Sequence, residues 1–207
     1  MIDLRSCRIV AWIAVAALAL PSGAGAQQAD APPSKPKKTN AKPAPKPAAS
    51  PAAQAALGGA QPNLLGQYGD WGAYAASPAG TKVCFALAKP QDARTNPPGK
   101  PRDPPYMFVA SRPAENVKNE VSVAIGYSFK PGADATVEVG SAKFAMYTQS
   151  DGAWIKNAAE EARMVEVMRK GSDMVVTGVS ARGTQSTDRY SLKGLSQALD
   201  RAAQECR

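Results

Sequence analysis

Between residues 120 and 129 large and small side chains alternate without a break: Val121, Val123, Ile125, Tyr127 and Phe129 against Ser122, Ala124, Gly126 and Ser128. A period of two over that length predicts a strand with one face of large residues. Similar runs at 106–111, 135–139, 143–148 and 174–179 predict further strands, and "GDWGAY" at 69–74 is expected to open the sheet. Gly132, Gly140, Gly152 and Gly183 punctuate the turns. Arg182-Gly183 is expected to make a hairpin turn between 174–181 and 185–192. The Pro-rich stretch "KPQDARTNPPGKPRDPP" at 89–105 is expected to be an exposed loop, neither strand nor helix.

Two segments change to a helical period. Asn157 with Glu160 has the pattern of an N-cap and capping box, and Gly171 suits the end of that helix. The second helix is predicted from Leu195 to Cys206, with Leu195, Ala198, Leu199, Ala202 and Cys206 on one stripe. In "KVCFALA", Val83, Phe85 and Leu87 take one face and Cys84, Ala86 and Ala88 the other. The small residues of the second face leave room for the last helix to lie over Cys84. The expected fold is therefore mainly β: an antiparallel β-sandwich or barrel-like sheet with two helices, the C-terminal one packed on the sheet.

The first 26 residues follow an export pattern. Arg5 and Arg8 precede an apolar run from 9 to 20, and Ala24-Gly25-Ala26 offers a small-x-small cleavage site, so Gln27 is the expected mature N-terminus. The apolar run is short for a membrane span, which takes roughly 20 residues. Residues 27–62 are rich in Pro, Ala and Lys and contain no aromatic residue, which predicts a disordered linker. Lys35, Lys37, Lys38, Lys42 and Lys46 against Asp30 carry half of the chain's net charge of +8. Such a tail is either a solvated spacer or a weak contact for anionic lipid or lipopolysaccharide. It lacks the interleaved aromatics that nucleic-acid binding uses, and no nucleic acid is expected as partner. One domain, 63–207, remains.

Candidate chemistry is sparse. There is no histidine in the chain, so Ser-His-Asp and Cys-His devices are excluded. No metal ligand set, P-loop or dinucleotide fingerprint is present, and no cofactor or catalytic residue is expected. Cys7 lies in the export segment, which leaves Cys84 and Cys206. In an oxidising compartment the pair predicts a structural disulfide; a redox pair is the alternative, without the close C-x-x-C spacing. Asp70-Trp71 in "GDWG" has two readings, a sugar-binding pair and a tight turn, and "DGAW" at 151–154 has the same two. Glu160 and Glu161 read as partners of the helix dipole.

Taken in order, "YGDW" at 68–71, the strand cysteine Cys84, the block "MVEVMRKGSDMVVTGVSARGTQSTDRYSLKGLSQAL" at 164–199 and the terminal Cys206 resemble the invasion-associated locus B family of alphaproteobacterial envelope proteins. The resemblance covers most of 66–207 and leaves out the linker. It implies an exported β-rich domain, with a role in some members in entry into host cells, and it carries over no catalytic residue. The expected function is that of a non-enzymatic periplasmic protein, with outer-membrane association and secretion open, that binds an envelope or host protein. The alternatives are a glycan-acting enzyme with two carboxylates ~5 to 10 Å apart, and a basic-tailed module for anionic surfaces.

Overall fold

The computed structural model describes residues 59–207. The export segment and all but the last four residues of the linker, including its five lysines, lie outside the described residues. The described chain forms eleven strands and two α-helices: β1 (Asn63–Tyr68), β2 (Trp71–Ala76), β3 (Val83–Ala88), β4 (Asp92–Asn96), β5 (Tyr106–Arg112), β6 (Val117–Ala124), β7 (Ala135–Val139), β8 (Ala142–Gln149), β9 (Gly152–Ile155), α1 (Ala158–Lys170), β10 (Asp173–Val179), β11 (Gln185–Ser191) and α2 (Leu195–Glu205).

Every ladder is antiparallel, and the strands form one sheet in the order β1-β2-β3-β5-β6-β9-β8-β7-β10-β11-β4. That order forces curvature. β3 and β4 are eight places apart in the sheet, about 38 Å if it were flat, yet only residues 89–91 connect them, a reach of about 14 Å. The sheet therefore curls until its last strand returns beside its third. It is barrel-like without closing, since β1 and β4 remain its edges.

The inward faces follow the period-two pattern. Val121 and Val123 of β6, Val137 and Val139 of β7, Phe144 and Met146 of β8, and Met174 and Val176 of β10 are buried in one core. Both helices fill that core. α1 contributes Met164, Val165 and Met168. Its start is fixed by Asn157, whose Oδ1 accepts the Glu160 N–H at 2.8 Å, and the Gly171 N–H closes its end on Val167 O at 3.0 Å. α2 buries Leu195, Ala198, Leu199 and Ala202 and packs on β1, β2 and β3. Its entry needs a glycine: Gly194 has φ +95°, and a Cβ there would lie 1.7 Å from Tyr68 O. On the other face of β2, β3 and β5, Tyr74, Phe85, Tyr106 and Phe108 make a second apolar cluster, with Tyr74 and Phe85 stacked at 5.3 Å.

The structure departs from the pattern in four places. The strand expected over 120–129 ends at Ala124; Gly126, with φ +84°, turns the chain, and Phe129 keeps only an isolated bridge to Ser180. The sheet opens with β1, so "GDWGAY" supplies its second strand. The 89–105 stretch contains β4, paired with β11 from Gln185↔Asn96 to Arg189↔Asp92. The last helix stops at Glu205, with Cys206 as its cap.

Candidate functional site

Loop 97–105, which leaves β4, is held down at two points. The Asp103 N–H donates to Gly126 O at 3.0 Å, a close approach that excludes any Cβ at residue 126, which would sit 2.0 Å from Asp103 O. One residue earlier, Arg102 inserts its guanidinium into the curl. It makes a bidentate pair with Asp188 of β11 (Nη1–Oδ2 2.8 Å, and Nη2–Oδ1) and also donates from Nη1 to Ile125 O at 3.0 Å. The side chains are 8% and 0% exposed. Burial holds the Asp188 carboxyl above the ordinary carboxylate range, against the pull of Arg102. For Arg102 burial works against the charge, but the bond to Asp188 outweighs it and its pKa lies above the usual value. The two directions pull apart, and the bidentate geometry decides for an ionised pair at neutral pH. Beside it, Tyr127 Oη and Ser186 Oγ share a hydrogen bond at 2.6 Å, while the buried Tyr190 hydroxyl has no partner among the described residues.

Above this floor lies a cleft of about 290 Å³ between loop 97–105 and the turn of the β10–β11 hairpin. Lys100 lines it from the loop and Arg182 from the turn, and the hydroxyl-bearing residues Thr95, Tyr127, Ser128, Ser180 and Thr184 complete its lining. A second cleft, of about 610 Å³, is lined by β4 and residues 98–105 of the same loop and includes one carboxylate, Asp103. A third, of about 440 Å³, lies by the β1–β2 turn and holds Asp70. None of the three brings two carboxylates together, so the pair that a glycan-cleaving enzyme would need is not assembled in them. Among the described residues there is no cluster of three His, Cys, Asp or Glu that could hold a metal, and no helix is long and apolar enough to cross a membrane.

The remaining sequence candidates fall as follows. Cys84 and Cys206 are joined by a disulfide that ties the cap of α2 to β3. Trp71 is fully buried, and its Nε1 donates to Ser191 O at 2.9 Å; it offers no face to a sugar, and "GDWG" is turn chemistry, with the Asp70 N–H on Lys193 O at 3.1 Å. In "DGAW", Trp154 is half-buried and stacks on Tyr147 across the β8–β9 ladder at 5.7 Å. Glu161 does more than complement the helix dipole: its Oε1 accepts the Val121 N–H at 2.7 Å and so ties α1 to β6. Burial raises its pKa, partly offset by that bond. Arg102, Asp188 and the two cleft cations escaped the sequence reading, because residues about 80 positions apart meet only through the curl.

A family model described as "Invasion associated locus B (IalB) protein" matches residues 71–203, nearly two thirds of the chain, from the first residue of β2 into the last turn of α2. This chain belongs to the invasion-associated locus B family. As a member it is an exported protein. The matched span includes Cys84 and the whole Arg102–Asp188 floor and stops three residues before Cys206. Searches of curated proteins and of solved structures returned no match.

Proposed function

We propose that this invasion-associated locus B protein works in the bacterial envelope by holding a partner, an envelope or host protein at the contact between bacterium and host. The observation that supports binding over turnover is the character of its clefts. The buried carboxylate beneath the 290 Å³ cleft, Asp188, is bound to Arg102, cations and hydroxyl-bearing residues line that cleft, and the other two clefts hold one carboxylate each, Asp103 and Asp70. Such a surface recognises; it has no acid–base couple with which to transform what it holds. The disulfide and the curled sheet give it a fixed frame on which loops can present contacts. Recovery of the protein from cross-linked envelopes tests the reading: a specific adduct is expected, and recovery of the free chain alone would count against it.

The linker lysines support a second, weaker contact. Lys35, Lys37, Lys38, Lys42 and Lys46 would hold anionic lipid or lipopolysaccharide through their positive charge, an attraction screened beyond about 8 Å at physiological salt. Binding to anionic vesicles should fall steeply with added salt and vanish when all five become Gln. Undiminished binding by that variant would refute it.

A further inference from the structure

We propose that the cleft between loop 97–105 and the β10–β11 turn is a recognition site for one anionic sugar unit, its oxyanion group held between Lys100 and Arg182. The proposal goes beyond the binding reading above, which concerns a protein partner, by naming a site on the domain for a different class of ligand, and it needs neither the tail nor a protein partner.

The argument starts from charge. No carboxylate lines this cleft, and among the described residues neither Lys100 nor Arg182 makes an ion pair. The other cations of β4, the loop and β11 are paired: Arg94 with Asp92 at 2.7 Å, Arg189 with Asp173 at 3.1 Å, and Arg102 with Asp188. Two cations without an ion pair, Lys100 and Arg182, thus line the cleft over a floor of zero net charge, and Lys100 also borders the 610 Å³ cleft beside it. Arg supplies a planar fork that fits an oxyanion, and Lys a mobile point charge beside it.

Both heads stand on fixed backbone. The Lys100 N–H donates to Thr95 Oγ1 at 3.2 Å, and two residues on, Arg102 pins the loop. Arg182 sits in a tight turn where Gly183 N–H donates to Ser180 O at 2.8 Å and Ala181 N–H to Ser128 O at 2.9 Å. Thr184 N–H closes the turn on Ser180 Oγ at 3.1 Å. The backbone beneath both cations therefore needs little ordering when a ligand arrives, and only the two side chains lose rotamer freedom.

The rest of the lining points to a sugar and not to a bare ion. Ser128 Oγ and Thr184 Oγ1 make no hydrogen bond among the described residues, which leaves them to meet ring hydroxyls, and Tyr127 and Pro101 supply apolar edges. The volume, about 290 Å³, falls just below the usual range of small-molecule sites, roughly 300 to 1,000 Å³. It suits a single ring with its charged substituent and is too small for an oligosaccharide to be enclosed.

The test is an NMR titration of the isotope-labelled mature protein, tail included, with glucose 6-phosphate, glucose 6-sulfate, inorganic phosphate and glucose. Saturable shifts at the amides of 95–102 and 180–184 are expected with glucose 6-phosphate or glucose 6-sulfate, and whichever of the two binds more tightly identifies a phosphorylated or a sulfated source. Inorganic phosphate and glucose should bind at least tenfold more weakly. Lys100→Gln with Arg182→Gln, both exposed changes, should weaken binding at least tenfold, whereas Lys170→Gln on α1 should leave it unchanged. Equal binding of inorganic phosphate would overturn the sugar assignment. Shifts confined to the tail lysines, or an unaffected double variant, would overturn the site while leaving the broader binding reading to its own test.

Discussion

Replacing Arg102 with Met keeps most of the side-chain volume and removes the charge that faces Asp188. The consequence can be sized from burial. Asp188 is 0% exposed and Arg102 8%, so after the change a carboxylate stands in the interior without its cation. Breaking a buried pair from one side costs about 3 to 5 kcal/mol, a large part of the ~5 to 15 kcal/mol that holds a typical domain together. With a urea dependence of about 1 to 3 kcal/mol per molar, the unfolding midpoint should drop by about 2 M. Acidity distinguishes this cause from lost packing. Without Arg102, burial still raises the Asp188 pKa and nothing comparable lowers it. A carboxyl whose folded pKa lies above its unfolded one contributes stability that is present below the unfolded value and lost as pH rises through the folded value. The deficit of Arg102→Met should therefore be widest near neutrality and shrink in acid, where Asp188 takes up a proton. The double change Arg102→Met with Asp188→Leu should recover much of the loss. A deficit below 1 kcal/mol, or one that does not vary with pH, would refute the reasoning.

Three further outcomes follow from the same structure. The disulfide closes a loop with a sequence separation of 122, worth about 5 kcal/mol in the chain-entropy model; Cys84→Ser and Cys206→Ser should each lower the melting temperature markedly and open α2 to protease, the double variant should add little, and two titratable thiols in the native protein would contradict the bridge. Glu161→Ala leaves the buried Val121 N–H without its acceptor and should cost about 1 to 3 kcal/mol by urea unfolding, while Glu161→Gln should be nearly neutral; because burial raises the Glu161 pKa, the wild type should lose ground to the Gln variant as pH rises from about 4 to neutrality, and the opposite trend would dismiss that role. Tyr190→Phe removes a buried hydroxyl that has no partner among the described residues and should hold or raise thermal stability; a loss above about 1 kcal/mol would mean that the hydroxyl is satisfied.

The sheet was legible wherever one face is buried and the other is not. β7, β8 and β10 carry that alternation, and the helix boundaries at Asn157, Gly171 and Leu195 carry their capping or stripe signals. β4 carried no such signal. Its "DARTN" is polar on both faces, and as an edge strand it is held by backbone bonds to β11 alone. The alternation of 120–129 runs through a turn because side-chain period does not record φ; Gly126 was the only local mark of the break. β11 reads as polar apart from Tyr190, yet its Ser186 and Asp188 also face inward, because Tyr127 and Arg102 arrive from elsewhere to satisfy them. The cleft follows from that arrival. A Pro-rich loop and a hairpin tip, each unremarkable in sequence, meet only because the sheet curls.

The most direct test of the account incubates purified mature protein with isolated envelopes and measures bound protein and released soluble glycan in the same samples. A protein that holds its partner without transforming it should bind saturably and release no glycan fragments over the unloaded control. Absence of saturable binding, or glycan release that rises with added protein, would contradict it.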